Sequence, residues 1–370
     1  MSNDQILYPA GTDVHGGPVL AATAPRTARR LRGMDDESFA LTVGAVVFAV
    51  TAVVAGFVFW GRELPIDGRG SLGDFTAIAS AIAASIAFAV ARSVPRHRNR
   101  PPVPSARRER YHWFDLVALS LAHGAVALLG WIGIATVMEH SFIGATVYAS
   151  PAIVIASAAT ALSAYLAVLS GVNLSPRQLS LVLAVFLVVG MTTAMLSSTD
   201  PLWWQMNLSA LGITHDISSL TFNLTLIVSG VIITTIARLG TATLPSYTTA
   251  QRRRRTAVRV LFVLLGVLLA CVGIFPVDRF FLLHNTVATG MTVAFAALVI
   301  GLPWLVPTMP KAFVVLGFVY VGVVIVLAVL FAAGVYNLTA VELVSSLLIF
   351  SWIILFLRNV QTNAQLEESH

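Results

Sequence analysis

The chain has 370 residues, of which 57% are hydrophobic and only 11% charged, with a mean hydropathy of +0.84. Soluble domains carry about a quarter charged residues, so a water-soluble globule is excluded: the polar surface is too small for so large a core. The net charge of +6 and the isoelectric point near 10.0 would suit a nucleic-acid binder, but the basic residues cluster in joints between apolar runs, which points to membrane orientation and away from nucleic acid.

Residues 1–33 mix Gly, Pro, Asp and Thr with an arginine cluster at Arg26, Arg29, Arg30 and Arg32. No apolar run stands at the start, so a cleaved signal peptide is not expected. Residues 1–36 read as a disordered, basic cytoplasmic tail whose arginines anchor the first helix and reach anionic lipid, at about 1 kcal/mol each.

Ten apolar segments follow, each near the roughly 20 residues that cross about 30 Å of hydrocarbon. They are placed at 38–60, 72–93, 114–138, 144–170, 177–197, 219–239, 257–276, 284–303, 312–334 and 340–360. Pro151 interrupts the fourth, which is kept whole because neighbouring groups can satisfy the carbonyl a proline frees. The fold expected is an all-α integral membrane protein, a polytopic bundle of about ten transmembrane helices. Residues 37–172 form a four-helix N-terminal membrane unit, 173–360 a six-helix membrane core, and 361–370 a polar cytoplasmic C-terminal tail.

Orientation follows from the arginines. Of the 23 basic residues only Lys311 is a lysine. With the N-terminus inside, all but Arg62, Arg69 and Arg279 fall in or beside the joints 92–113, 171–176, 240–256 and 304–311 or in the tails. That asymmetry is the positive-inside pattern, and an odd number of spans would scramble it. Both termini are therefore expected in the cytoplasm, and the chain as a multi-pass protein of the cytoplasmic membrane. The preference for arginine, with abundant Ala and Val, suggests a bacterial source with a GC-rich genome. The joint at 92–110, rich in Pro and Arg, reads as an orientation anchor.

Within the spans, the second carries Ala77, Ala79, Ser80, Ala81, Ala83, Ala84 and Ser85, a small-residue face suited to close helix packing in the chain or in a homo-oligomer. Gly266 and Gly273 in the seventh admit a similar approach. The lone cysteine, Cys271, lies in an apolar run and reads as a small buried residue, so no disulfide framework exists. A weak repeat aligns 133–147 with 273–287 through Gly133, Ile134, Val137, Thr146 and Val147 against Gly273, Ile274, Val277, Thr286 and Val287. It raises the expectation that spans one to four duplicate spans five to eight.

The segment from Asp200 to Arg238 organises the rest. It opens on Asp200, Trp203, Trp204, Asn207, His215 and Asp216, then passes into an apolar run, the pattern of an interface loop feeding a spanning helix. The same outer side collects Glu139, His140, Asn223, Asp278, Arg279, His284, Asn285, Asn337 and Glu342. Asp74, Asp115 and Glu342 sit in first turns, where a carboxylate complements the helix dipole, and are read as helix starts. Ser209, His284 and Asp278 can be drawn as a nucleophile–base–orienter set, but no GxSxG, HExxH or CxxC accompanies them. His140, His215 and His284 can be drawn as zinc ligands, but no metal or other cofactor is expected. His123, in the third span, is the one midplane candidate for a proton relay, set against a hydrogen bond across to a neighbouring helix.

Several of these residues carry a resemblance: Ser209-Ala210-Leu211-Gly212, then Phe222-Asn223 and Gly230, Gly273-x-Phe275-Pro276, and His284. Over 177–360 they resemble the prokaryotic membrane family known as domain of unknown function 998, itself distantly similar to the Frag1/DRAM/Sfk1 group. Ala210 stands where many members have a polar residue. The resemblance implies a polytopic, envelope-associated protein with a link to lipids, and no reaction. The function expected is binding or moving a lipid or cell-envelope precursor through an outward polar pocket at the mouth of spans five to eight. Its residues would be Trp203, Trp204, Asn207, Ser209, Asn223, Asp278, Arg279 and His284, with membrane lipids as partners. The alternatives are a membrane-embedded hydrolase or transferase using His284 and Asp278, and a proton-coupled carrier using His123.

Overall fold

A computed structural model describes residues 35–94, 113–214, 216–242, 244 and 247–368. The N-terminal arginine cluster and most of the Pro-rich basic joint lie outside these. Among the described residues are ten helices, each long and apolar enough to cross a membrane: α1 Asp36–Phe59, α2 Leu72–Ser93, α3 Trp113–Ser141, α4 Ala149–Val172, α5 Pro176–Leu196, α6 Ile217–Gly240, α7 Thr249–Ile274, α8 Phe281–Leu305, α9 Lys311–Ala332 and α10 Leu338–Glu368. The protein is an all-α polytopic helix bundle.

Polar residues at the ends set the boundaries. Asp35 caps α1 through the Ser38 N–H, Ser71 caps α2 through Asp74, and Ser175 caps α5 through Gln178. Each supplies an acceptor that the first turn lacks. At α7, Thr248 and Gln251 form a reciprocal capping box, so the helix begins eight residues before the expected 257. The run Arg252 to Arg255 is thus helical: arginines lower hydropathy but keep good helix propensity.

The fourth span departs from its expected start at 144. Residues Thr146–Tyr148 form a strand, β2, which pairs antiparallel with β1, Glu63–Pro65, and α4 begins only at Ala149. Pro151 consequently sits in the first turn, where its missing N–H would have no intrahelical partner in any case. It starts the span and does not interrupt it.

In the N-terminal half, α4 packs along both α1 and α2, and α3 lies on the other side of α2. The small face of α2 is spent inside the chain: Ala77, Ser80 and Ala84 are buried, and Ser80 lies 3.4 Å from the Thr160 hydroxyl of α4. In the C-terminal half, α5 to α10 pack in sequence order and α10 returns to α5, closing a ring. Its interior holds Phe262, Phe295, Phe313, Trp352 and Phe356, with ring centroids 4.8–6.4 Å apart. The halves meet where α3 contacts α5 and α6, and one continuous core runs from Phe39 to Val360. The neighbour pattern does not repeat between α1–α4 and α5–α8: α4 packs on α1 and α2, whereas α8 packs on α7 and α9.

Candidate functional site

The segment between α5 and α6 closes the end of the six-helix ring opposite the arginine-rich joints, here termed the outer end. Asp200 turns the chain by accepting the Leu202 N–H at 2.8 Å. A 3-10 turn at Trp203–Gln205 follows, with Trp203 half-buried against the core and Trp204 49% exposed. A second 3-10 turn, Leu208–Gly212, is buried throughout. Asp216 then caps α6 by accepting the Ser219 N–H at 3.1 Å. Trp204 is tied to the ring by its carbonyl, which accepts from the Asn337 amide at 2.9 Å.

Three helices hold the Leu208–Gly212 turn by its polar atoms. From α8, His284 Nε2 lies 3.1 Å from Ser209 Oγ, and His284 Nδ1 lies 2.7 Å from the Phe275 carbonyl. A carbonyl only accepts, so Nδ1 carries the proton and Nε2 accepts from the Ser209 hydroxyl. From α6, the Asn223 amide donates to the Gly212 carbonyl at 3.2 Å. From α10, Glu342 accepts the Leu208 N–H at 2.5 Å and also engages the Ser209 N–H. Asn207 Oδ1 is buried and has no hydrogen-bond partner among the described residues. A buried acceptor left open is costly, which makes it the most informative atom of the cluster.

Of the expected site residues, Asn207, Ser209, Asn223 and His284 come together, and Trp203 and Trp204 flank them. Asp278 and Arg279 do not join. They sit in the α7–α8 connection, 3.8 Å apart and partly to largely exposed. The expected Asp278–His284 pair is replaced by the Phe275 carbonyl, because the tight turn folds the backbone of Phe275 back onto the imidazole. Glu342 is the residue sequence reasoning missed. Read as a helix start, it reaches across the ring to cap a turn more than a hundred positions away. The helix begins at Leu338, so Glu342 lies past the first turn and is not a helix start; its signal is a carboxylate inside an apolar span.

The Ser209–His284 pair has the tautomer a general base needs. The nearby backbone donors are spent, however: Leu208 N–H binds Glu342 and Ala210 N–H binds the Asn207 carbonyl at 3.1 Å. An acyl-transfer intermediate would require such donors free for its oxyanion. Ser209 and His284 are also 8% and 4% exposed, closed off from bulk water.

His123 lies elsewhere, buried in the N-terminal half. It is stacked on Phe88 at 4.2 Å, with Nδ1 2.7 Å from the Leu119 carbonyl and Nε2 2.8 Å from Ser170 Oγ of α4. Both nitrogens are engaged in cross-helix and local bonds. His140 bonds the Thr136 carbonyl at 2.7 Å, and His215 lies outside the described residues. Among the described residues no three His, Cys, Asp or Glu side chains gather as a metal site. Cys271 is half-buried in α7. Comparison with protein-family models, with curated proteins and with solved structures finds no match.

Proposed function

We propose that this protein binds or moves a lipid or cell-envelope precursor at its outer end, without covalent chemistry. Ten apolar helices make it a multi-pass membrane protein. The arginine asymmetry supports both termini in the cytoplasm and a bacterial cytoplasmic membrane as its place. The observation that carries the reading is Asn207 Oδ1, an unpartnered buried acceptor beside the turn held by His284, Asn223 and Glu342. It calls for a hydroxyl or amine donor from a ligand. Trp203 and Trp204 hold the loop at headgroup level. Arg279, largely exposed beyond the site, meets the anionic part of such a ligand, with Asp278 setting its orientation.

Mass spectrometry of lipids extracted from the purified protein tests this. The wild type should retain a species enriched over the surrounding membrane, reduced severalfold in Asn207→Ala and in Arg279→Ala at unchanged thermal stability. A retained profile identical to the bulk membrane and insensitive to both changes would sink the reading.

One geometric fact favours a second reading, a hydrolase or transferase: Ser209 is hydrogen-bonded to a correctly protonated His284, oriented by Phe275 where Asp278 was expected. A fluorophosphonate probe that labels Ser209, and fails to label His284→Ala, would establish it. An unlabelled wild type removes it. A carrier built on His123 draws no comparable support, since both its nitrogens are already bonded.

A further inference from the structure

We infer that the groove between α1 and α4 binds one phospholipid of the arginine-rich leaflet, selected for a primary ammonium headgroup by Glu37. The groove has a volume of about 570 Å³ and opens sideways, within the roughly 300–1,000 Å³ of small-ligand sites. Gly44 and Ala161 form its floor, since these small residues leave the space a longer side chain would fill. Leu41, Phe48 and Leu162 form its sides. Tyr165 is the one lining residue with a polar side-chain atom, and its hydroxyl donates to Glu37 at 2.6 Å.

Length argues for the occupant. Glu37 lies in the first turn of α1, where the helix enters the membrane. Phe48 lies eleven residues further on, about 16 Å along a helix axis. Half of the roughly 30 Å hydrocarbon thickness is about the same distance. The groove therefore runs from headgroup level to the bilayer midplane, the reach of one acyl chain in one leaflet. A second protein helix would have no reason to stop there.

Charge argues for the headgroup. Asp35 and Glu37, at the start of α1, are both exposed. Tyr165 fixes one Glu37 oxygen, which aims the carboxylate over the groove's mouth. A negative rim repels a headgroup that carries phosphate alone and attracts one that ends in an ammonium. None of these residues belongs to the outer site, so the two readings stand or fall separately.

Native mass spectrometry of the full chain released from nanodiscs tests this, with phosphatidylethanolamine, phosphatidylcholine and phosphatidylglycerol in equal amounts. The wild type should keep one phosphatidylethanolamine in preference to phosphatidylglycerol by about fivefold, the worth of one exposed charge pair, and in preference to phosphatidylcholine, whose fully methylated nitrogen has no N–H to give the carboxylate. Glu37→Gln, an exposed change that leaves the helix intact, should bring that ratio to near one. Ala45→Trp, at an exposed lining position on the α1 side of the groove, should abolish retention, and Ala45→Phe serves if the first fails to fold. Ile78→Trp, on an exposed face of α2, should change nothing. Equal retention of the three lipids, preference for phosphatidylglycerol, or retention indifferent to the Ala45 changes would overturn the inference. So would a dimer that the Ala45 changes dissolve, because a second copy would then fill the groove.

Discussion

His284 and Glu342 do the same thing by different chemistry: each reaches from a ring helix to hold a polar atom of one buried turn. In low dielectric an unheld backbone N–H is expensive, so Glu342 taking the Leu208 N–H contributes to the fold whether or not a ligand binds. Asp216 shows how such bonds act on a titratable group outside the spans. Burial pushes its carboxyl up, but bonds from the Thr214 and Thr199 hydroxyls and the Ser219 and Thr199 N–H groups outweigh this and hold it below the usual range. Its charged form is favoured in the folded state. That stabilisation is present above the unfolded value of about 3.9 and is lost as pH falls through the lower folded value. Asp216→Asn, which keeps a capping side chain, should flatten the acid limb of thermal stability below about pH 5. An unchanged limb would mean that other carboxylates control it. The sequence placed Asp216 on the outer loop but could not show its role, since Thr199 lies seventeen positions away.

Among the elements, α6 and α7 make the closest contact of the C-terminal ring. A side chain on Gly230 would collide with the Gly266 carbonyl oxygen, and one on Gly266 with Thr234 and the Gly230 carbonyl. Backbones this near gain dispersion along their whole length. Gly266→Leu should prevent the two helices from seating and yield polydisperse protein by size-exclusion chromatography. Gly56→Leu, with open space around it, should elute as the wild type does. The expectation of close approach at Gly266 and Gly273 came from residue type alone. Which helix would approach did not, because apolar spans look alike in sequence. The spans themselves are legible to within a few residues, with three larger misses. The last helix, α10, runs to Glu368, eight residues past the expected 360 and into the expected tail, because Gln, Ala, Leu and Glu keep good helix propensity; the other two have local causes. At α7 a capping box started the helix early, and at α4 a strand pairing delayed it.

Across the whole molecule, the two halves are pinned at the arginine-rich side by Arg238 of α6, which pairs with the buried Asp115 of α3. Arg259 of α7 supports this end by donating to the Thr241 hydroxyl at 2.9 Å and the Arg238 carbonyl at 3.4 Å. By sequence Asp115 reads as a helix start complementing the dipole; in the fold it is also a contact between the halves. Breaking one side of a buried pair costs about 3 kcal/mol at the low end of the usual range, fitting an arginine still part-exposed. Arg238→Ala should lower thermal stability accordingly, and Asp115→Leu with Arg238→Met should cost less than the sum of the single changes. Strict additivity would show that the pair does not couple the halves.

Composition and span length were enough to specify ten helices long and apolar enough to cross a membrane, because bilayer solvation acts on each segment separately and leaves its mark residue by residue. The ring closed by α5 and α10, the turn held by His284, Asn223 and Glu342, and the Asp115–Arg238 pair were decided only when the helices packed. Lipid is as apolar as the helices it surrounds, so hydrophobicity does not choose a helix's neighbours. That choice falls to small-residue contacts and to a few polar bonds between residues far apart in the chain.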